Sequence, residues 1–395
     1  MKLRSTCPLC ASGELAGITE RPKVPVHQNK LYESRADARA ATRGHLKVVA
    51  CLTCGFVFNA AFDLSLMTYD DSYENDQTHS AAFSAHVDGL VERLLGESGV
   101  RNCRIVEVGS GRGTFLETLV VSDAGNVGWG FDPAYTGPDT AVGGRVEFVR
   151  SFYDRAYADL APDVVICRHV IEHVPEPASL LAEIRRASTG ARVFVETPDV
   201  EWILRNAVIW DFFYEHCSYF SPYSFATAFR NAGFSDVKST HVFGGQYLWV
   251  EAGGASNSDE KQLCDPGDVA QHVQRYVRRE NEMLARWNNT IVELRESGPV
   301  ALWGAGAKGV TSASLFDPNC ELISGVVDLN PRKQGRYIAG SGHEIITPEE
   351  LVQKRVKSVV LMNPNYLDEV RKLLKRERIE VKVVVDANVG STGQR

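Results

Sequence analysis

Apolar residues along this chain fall into two spacings that alternate with one another. Short runs that are almost wholly apolar, at 105–108, 128–131, 146–149, 163–167 and 192–196, read as strands buried on both faces. Between them the spacing changes to that of a helix, as in Phe83, Val87, Leu90, Val91, Leu94 and Leu95, and again over 178–187 and 223–231. Repeated strand–helix alternation predicts a parallel sheet that binds ligands at the carboxyl ends of its strands. A hairpin of 237–243 and 247–250, turning at Gly244-Gly245, closes this sheet. Residues 269–295 keep a helical period, and a second alternation then begins, with strands at 300–303, 326–328, 358–362 and 381–385 and a helix at 367–374.

The length, 395 residues, allows two or three such units, each with its own core. A stretch rich in Gly, Ser and Asn, 253–268, reads as a linker, so the expected division is 1–66, 67–253 and 254–395. A formal net charge of −7 offers no broad attraction for nucleic acid or for an anionic membrane. No apolar run is long enough to span a bilayer, and Met1–Cys7 lacks the apolar core of a secretory signal. The expectation is a cytoplasmic protein, monomer or homodimer, whose partner is a small-molecule substrate.

In a reducing compartment the spacing of the nine cysteines matters more than their number. Cys7-Pro8-Leu9-Cys10 and Cys51-Leu52-Thr53-Cys54 are two CxxC knuckles, each with a glycine close behind, and together they supply four thiolates to one tetrahedral zinc ion. Four thiolates fill the shell, which leaves His27 and His45 outside it and makes the site structural. The polar segment between the knuckles is expected to form a hairpin.

The first strand of the middle unit runs into Gly109-Ser110-Gly111-Arg112-Gly113, a turn that lets the backbone approach a nucleotide-like ligand and present helix N–H groups to it. Glu107, two residues before the first glycine, repels a pyrophosphate and attracts an ammonium or sulfonium. Asp132 closes the next strand about 20 residues on, where a carboxylate grips ribose hydroxyls. Glu107, Gly109, Gly111, Gly113 and Asp132 therefore predict S-adenosylmethionine as the cofactor. Arg168 and His169 follow the fourth strand at its reactive end, and His173 shares a face with His169 if the segment is helical.

The densest cluster of chemistry is Trp210-Asp211-Phe212-Phe213-Tyr214-Glu215-His216-Cys217-Ser218-Tyr219-Phe220-Ser221. Aromatic walls around an acid and a histidine tune a pKa, and a histidine near neutrality can remove a proton from carbon beside a ketone. The order of four-cysteine segment, glycine-turn sheet, Tyr-Glu-His-x-Ser-Tyr-Phe-Ser cluster, and a C-terminal unit with Ala-Lys-Gly and Asp-x-Asn-Pro-x-Lys-Gln-Gly resembles the zinc-containing sugar C-methyltransferases of deoxysugar biosynthesis. The resemblance covers nearly the whole chain. It implies an N-terminal zinc-binding domain, a class I methyltransferase domain of Rossmann-like α/β fold, and a small Rossmann-like α/β domain that binds a nucleotide-sugar. It also implies methylation at C3 of a nucleotide-linked 4-keto sugar, with His216 as the base, Glu215 beside it, and Tyr214 and His173 in the catalytic set. Tyr73, or Tyr69 near it, would complete the site, while Gly306, Lys308, Asp328 and Arg332 would hold the substrate from the C-terminal unit.

The chain departs from that family in two substrate-facing places. Phe213-Tyr214-Glu215-His216 stands where the family has Tyr-His-Glu-His, and Ala339-Gly340-Ser341-Gly342-His343 replaces a Pro-Gly-Thr-His segment. Three other readings compete: methylation of oxygen or nitrogen on another metabolite, an NAD-dependent oxidoreductase built on Gly304-Ala305-Gly306-Ala307-Lys308-Gly309 and Asp328, and a zinc-bearing scaffold with an idle sheet.

Overall fold

The computed structural model describes residues 3–68, 72–255 and 266–386. Its largest sheet has eight strands in the order Phe234–Val242, Tyr247–Ala255, Arg192–Pro198, Val164–Arg168, Arg104–Val108, Val127–Phe131, Val146–Val149 and Thr140–Ala141. The five strands from Arg192–Pro198 to Val146–Val149 are parallel, and antiparallel strands lie at both margins. Chain order reverses between Arg104–Val108 and Val164–Arg168, so the crevice for a ligand opens beyond Val108 and Arg168.

Apolar layers cover both faces of this sheet. Leu90, Leu94, Leu116 and Val120 bury one face; Leu181, Ile184, Phe225 and Phe229 bury the other. The helices begin where the sequence offers caps. Ser80 accepts a hydrogen bond from the Phe83 N–H at the start of Ala81–Gly96, and Ser221 with Ser224 forms a capping box, followed by Pro222, at the start of Pro222–Asn231.

The C-terminal residues form a parallel five-stranded sheet in the order Ile345–Ile346, Ile323–Val327, Val300–Trp303, Ser358–Leu361 and Lys382–Val385. Its own reversal point lies between the ends of Val300–Trp303 and Ser358–Leu361. Helix Val269–Glu296 leads into it with Val273, Tyr276, Met283, Trp287 and Ile291 buried at helical spacing.

The segment between the cysteine knuckles is indeed a long hairpin, Leu15–Pro25 against Arg43–Cys51. It does not stand alone. Ser218–Tyr219, next to His216, adds to this sheet through Val57–Asn59, and Leu31–Tyr32 pairs with Tyr337–Ile338 of the C-terminal part. The N-terminal segment is thus strand-bonded to both later units, and the cluster around His216 is pinned at the junction.

Candidate active site

The carboxyl ends of both parallel sheets open into one cavity of about 310 Å³, lined from one side by His169, His173, Glu215 and His216 and from the other by Gly306, Lys308 and Asp328. Two side-chain clamps close the junction around it. The amides of Gln246 and Asn363 exchange hydrogen bonds of 2.7 and 3.1 Å, and Asn365 Nδ2 donates to the Phe243 carbonyl at 2.7 Å. The segment holding Tyr73, Asp76, His79 and Ser80 supplies a further wall. Tyr69 lies outside the described residues.

At the glycine turn, Gly109, Gly111 and Gly113 all have positive φ, between 53° and 82°. A Cβ on Gly109 would fall 2.1 Å from Val170 and one on Gly113 2.2 Å from Phe148, whereas Gly111 faces open space. Asp132 accepts the Gly111 and Ala134 N–H groups at 2.9 and 2.8 Å. Glu107 is buried and accepts from the Leu116 N–H, while its Oε2 has no partner. Burial raises its pKa to about 8, opposed by the Arg168 charge. An orphaned buried carboxylate oxygen and an open glycine are what an incoming ammonium-bearing nucleoside requires, so these residues fit S-adenosylmethionine.

Arg168 is bonded to the neighbouring strand, while its charge also acts on Glu107 and its Nη2 is buried without a partner. Its Nε donates to Glu196 Oε2 at 2.9 Å and its guanidinium lies 4.3 Å from the Phe115 ring centroid. His169 and His173 are not on a helix: His169 has φ 52°, and only Ile171–His173 forms a single 3₁₀ turn. The left-handed backbone costs about 1–3 kcal/mol and sets the His169 ring between two carboxylates, with Nδ1 3.3 Å from Glu172 and Nε2 3.3 Å from Glu196. Burial alone would lower the His169 pKa, but the two carboxylates outweigh it and bring it to about 9. Glu196 also meets His86 at 2.5 Å. Burial opposes its ionisation, yet Arg168 and His169 hold its pKa well below the usual value.

His173 and His216 face each other edge to face, 4.8 Å between ring centroids. His173 Nδ1 donates to the Glu215 carbonyl at 3.0 Å, which leaves its Nε2 as the lone-pair nitrogen. His216 packs against Phe213 at 4.1 Å and Tyr219 at 5.9 Å, and makes no hydrogen bond among the described residues. Burial and then the neighbouring His173 push its pKa well below that of an ordinary imidazole, so the ring is a neutral, unengaged base at the cavity wall.

The expected orienting carboxylate is a different one. The Glu215 carboxyl turns away from His216 to the Gln28 N–H and Tyr73, and burial raises its pKa to about 8. Glu172 is the acid grouped with the two rings, its ligand atom within 4.8 Å of His173 and His216, and Thr197 donates to it at 3.2 Å. Tyr214 also departs from its expected place. Its hydroxyl accepts from the Asp63 N–H at 2.8 Å and donates to the Asp63 carbonyl at 3.3 Å, and its ring fills the space above Gly44, so it ties the catalytic loop to the N-terminal hairpin instead of entering the cavity.

On the opposite wall Lys308 is ion-paired with Asp211, which tethers the second glycine turn to the catalytic loop. Asp328 accepts the Ala305 and Asn330 N–H groups at 2.8 and 2.9 Å. Arg332 is two-thirds exposed and points to Glu74 at 3.5 Å, outside the cavity lining. The buried cation there is its neighbour Lys333, whose Nζ donates to the Ala305 carbonyl at 3.2 Å. Lys333 lies inside the Asp-x-Asn-Pro-x-Lys-Gln-Gly stretch and Glu172 between His169 and His173, but periodicity could not say which acid or which base turns inward.

The four cysteines of the knuckles converge. Cys7 Sγ lies 3.6 Å from Cys54 Sγ and Cys10 Sγ 3.5 Å from Cys51 Sγ, and all four sulfurs lie within 4.8 Å of one another. Sulfurs at the corners of a zinc tetrahedron would be about 3.8 Å apart, so the donor set and its spacing fit that ion. His27 and His45 stay outside it, His27 accepting the Thr68 N–H and His45 paired with Glu20.

A glycine turn at one sheet's reversal point, with a buried unpaired carboxylate oxygen two residues before it, fits a nucleoside-bearing cofactor, and sequence comparison specifies the chemistry. Residues 79–239 match the family model for a methyltransferase domain, and residues 265–385 match that for a C-methyltransferase C-terminal domain. The protein is an S-adenosylmethionine-dependent methyltransferase. It is 24% identical over 387 residues to the C-methyltransferase NovU of Streptomyces niveus, covering 92% of this chain and 90% of that protein. Among solved structures it is similar to magnesium protoporphyrin IX methyltransferase from Synechocystis, at 18% identity and TM-score 0.34 over 47% of this chain and 91% of that one. It is also similar to an O-methyltransferase family protein from Burkholderia thailandensis, at 17% identity and TM-score 0.33 over 44% of this chain and 57% of that one. The match at 265–385 displaces the oxidoreductase reading of the second glycine turn. No helix among the described residues is long and apolar enough to cross a membrane.

Proposed function

We propose that this enzyme methylates carbon, at C3 of a nucleotide-linked 4-keto sugar, with His216 as the base. The observation that carries this reading is the unbonded, neutral His216 ring on a cavity shared by the ends of two parallel sheets. S-adenosylmethionine, held by Glu107, the glycine turn and Asp132, supplies a methyl group that is already activated. What remains for the chain is to make a carbon nucleophile and hold it in line. His216 takes the C3 proton. His169, which its two carboxylates keep protonated, lines the same cavity. His173, fixed as a tautomer by the Glu215 carbonyl, keeps a second cation from forming beside His216 at rest.

In this reading the C-terminal sheet is a Rossmann-like unit whose Gly306 turn, Lys308 and Asp328 face the nucleotide, and the chain divides functionally at 1–66, 67–253 and 254–395. The four knuckle thiolates hold a structural zinc ion that fixes the start of the hairpin against the methyltransferase sheet. NovU, a C-methyltransferase by name and matched nearly end to end, supports transfer to carbon.

The test is incubation with S-adenosylmethionine and a panel of dTDP-4-keto sugars in D2O, followed by mass spectrometry. Gain of a methyl group with solvent deuterium entering the unmethylated substrate supports an enolate. Methyl gain without that exchange favours oxygen or nitrogen as the acceptor, and exchange that persists in a His216→Asn enzyme removes His216 as the base.

A further inference from the structure

Behind the catalytic loop lies a second cavity, of about 370 Å³, enclosed by the strand Leu15–Pro25, the helix Ala307–Phe316 and the residues around Gly340. Phe213 lines both cavities, so one aromatic ring stands between this space and His216. Three polar atoms in the lining are buried without a partner: Thr311 Oγ1, Ser314 Oγ and Gln28 Oε1. Thr311 is 7% exposed and Gln28 2%, so neither has bulk water to satisfy it. Leaving such groups unpaired costs about 1–3 kcal/mol each, and a ligand with hydrogen-bonding groups of its own would offset that cost at those it reaches.

The charge around the void is positive. Arg43 donates only to the carbonyls of Lys23 and Gly340, and Lys23 at the rim has no ion-pair partner among the described residues. The acid in the lining, Glu20, is already held by Lys47 and His45. We infer that this cavity is a second binding site, for a small anion that also carries hydroxyl groups, such as a phosphorylated or carboxylated polyol. Its occupant touches the wall that carries the base: Phe213 packs on the His216 ring, and the Gln28 backbone holds the Glu215 carboxyl. Occupancy of this site therefore sets the position of the catalytic loop from behind.

The probes are inorganic phosphate and glycerol 3-phosphate, titrated calorimetrically into the full-length protein, with Thr311→Val and Lys23→Gln variants alongside. Each variant weakens glycerol 3-phosphate binding by roughly tenfold, the loss of one hydrogen bond or ion pair to a charged ligand, and leaves the titration with S-adenosylmethionine unchanged. Thr311→Val weakens glycerol 3-phosphate more than phosphate if the hydroxyls are read by the helix. Absence of binding at millimolar probe overturns the inference, as does binding that neither variant alters, since the anion then sits in the first cavity. Neither readout depends on methyl transfer, so failure here leaves the proposed reaction untouched.

Discussion

Replacing Glu107 by glutamine separates the stability of the fold from its hold on the cofactor. The carboxyl is fully buried with a pKa raised from 4.5 to about 8 by that burial, so the folded state favours its protonated form. A raised pKa contributes stability that is fully present below 4.5 and is lost progressively as pH climbs toward 8. Each pH unit in that window costs about 1.4 kcal/mol, so roughly 3 kcal/mol has gone by neutral pH. Glutamine keeps the shape and has no charge to bury. The variant is therefore expected to match the wild type at pH 4.5 and to exceed it by about 3 kcal/mol at pH 7, read as the difference between two urea-unfolding curves at each pH. Cofactor binding moves the other way. An ammonium beside Glu107 restores its ionisation, so wild-type affinity for S-adenosylmethionine rises by up to about tenfold per unit from pH 5 to 7, where the amine stays protonated. Glu107→Gln loses that slope and about 1.5–3 kcal/mol of charge-assisted hydrogen bonding, a ten- to hundredfold weakening near neutrality. An unchanged affinity with an unchanged pH slope, or a stability difference that does not move with pH, would refute the placement of the carboxylate against the donor's cation.

Other parts of the molecule yield sharper separations. His216→Asn is expected to lower kcat by about 10² to 10⁴ while the cofactor titration stays as in wild type, which stopped-flow or end-point mass spectrometry resolves. Because burial and His173 depress the His216 pKa, the free base persists below the ordinary imidazole value, and the acid limb of kcat/KM for the acceptor, measured with S-adenosylmethionine saturating at every pH, should fall under pH 6.5; a limb near 7 under that condition would contradict a buried neutral ring. Tyr214→Phe removes a hydroxyl that serves only Asp63, so it costs about 1 kcal/mol in a denaturation curve and leaves kcat in place. Stripping the metal with a strong chelator, or Cys51→Ser, should release one zinc per chain by native mass spectrometry and expose the hairpin to protease, with the methyltransferase sheet unfolding later if at all.

Much of this fold was legible in one dimension. The strand at 105–108 with its glycine turn, and the strand at 300–303 with the second turn, are local: an apolar run, a glycine that can take positive φ, and a helix whose first N–H groups need a partner all lie within a dozen residues. The helix from Val269 to Glu296 was readable for the same reason, since burial at 3.6-residue spacing is written directly in the sequence. The CxxC pairs were equally plain, because two such pairs in one chain supply the four thiolates of a tetrahedral site.

Roles within the catalytic cluster were decided elsewhere. Tyr214, Glu215 and His216 are consecutive, yet the first turns to Asp63, the second lines the cavity with its carboxyl bonded to Gln28 and Tyr73, and only the third meets the cavity with an unbonded side chain. Consecutive residues in an irregular loop have no fixed phase, so the direction of each side chain is set by what arrives from distant chain: the N-terminal hairpin joined through Ser218–Tyr219, and the C-terminal turn joined through Lys308 and Asp211. The same is true of Glu172, which groups with His173 and His216 where the chain forms a single 3₁₀ turn after a left-handed His169. Sequence alone determined which elements form and which cofactor the first glycine turn can take, for those depend on neighbours along the chain. Which acid, which base and which wall meet the substrate depends on contacts between residues 44 positions apart for Glu172 and His216, 97 for Asp211 and Lys308 and 151 for Asp63 and Tyr214, and only the folded chain brings those together.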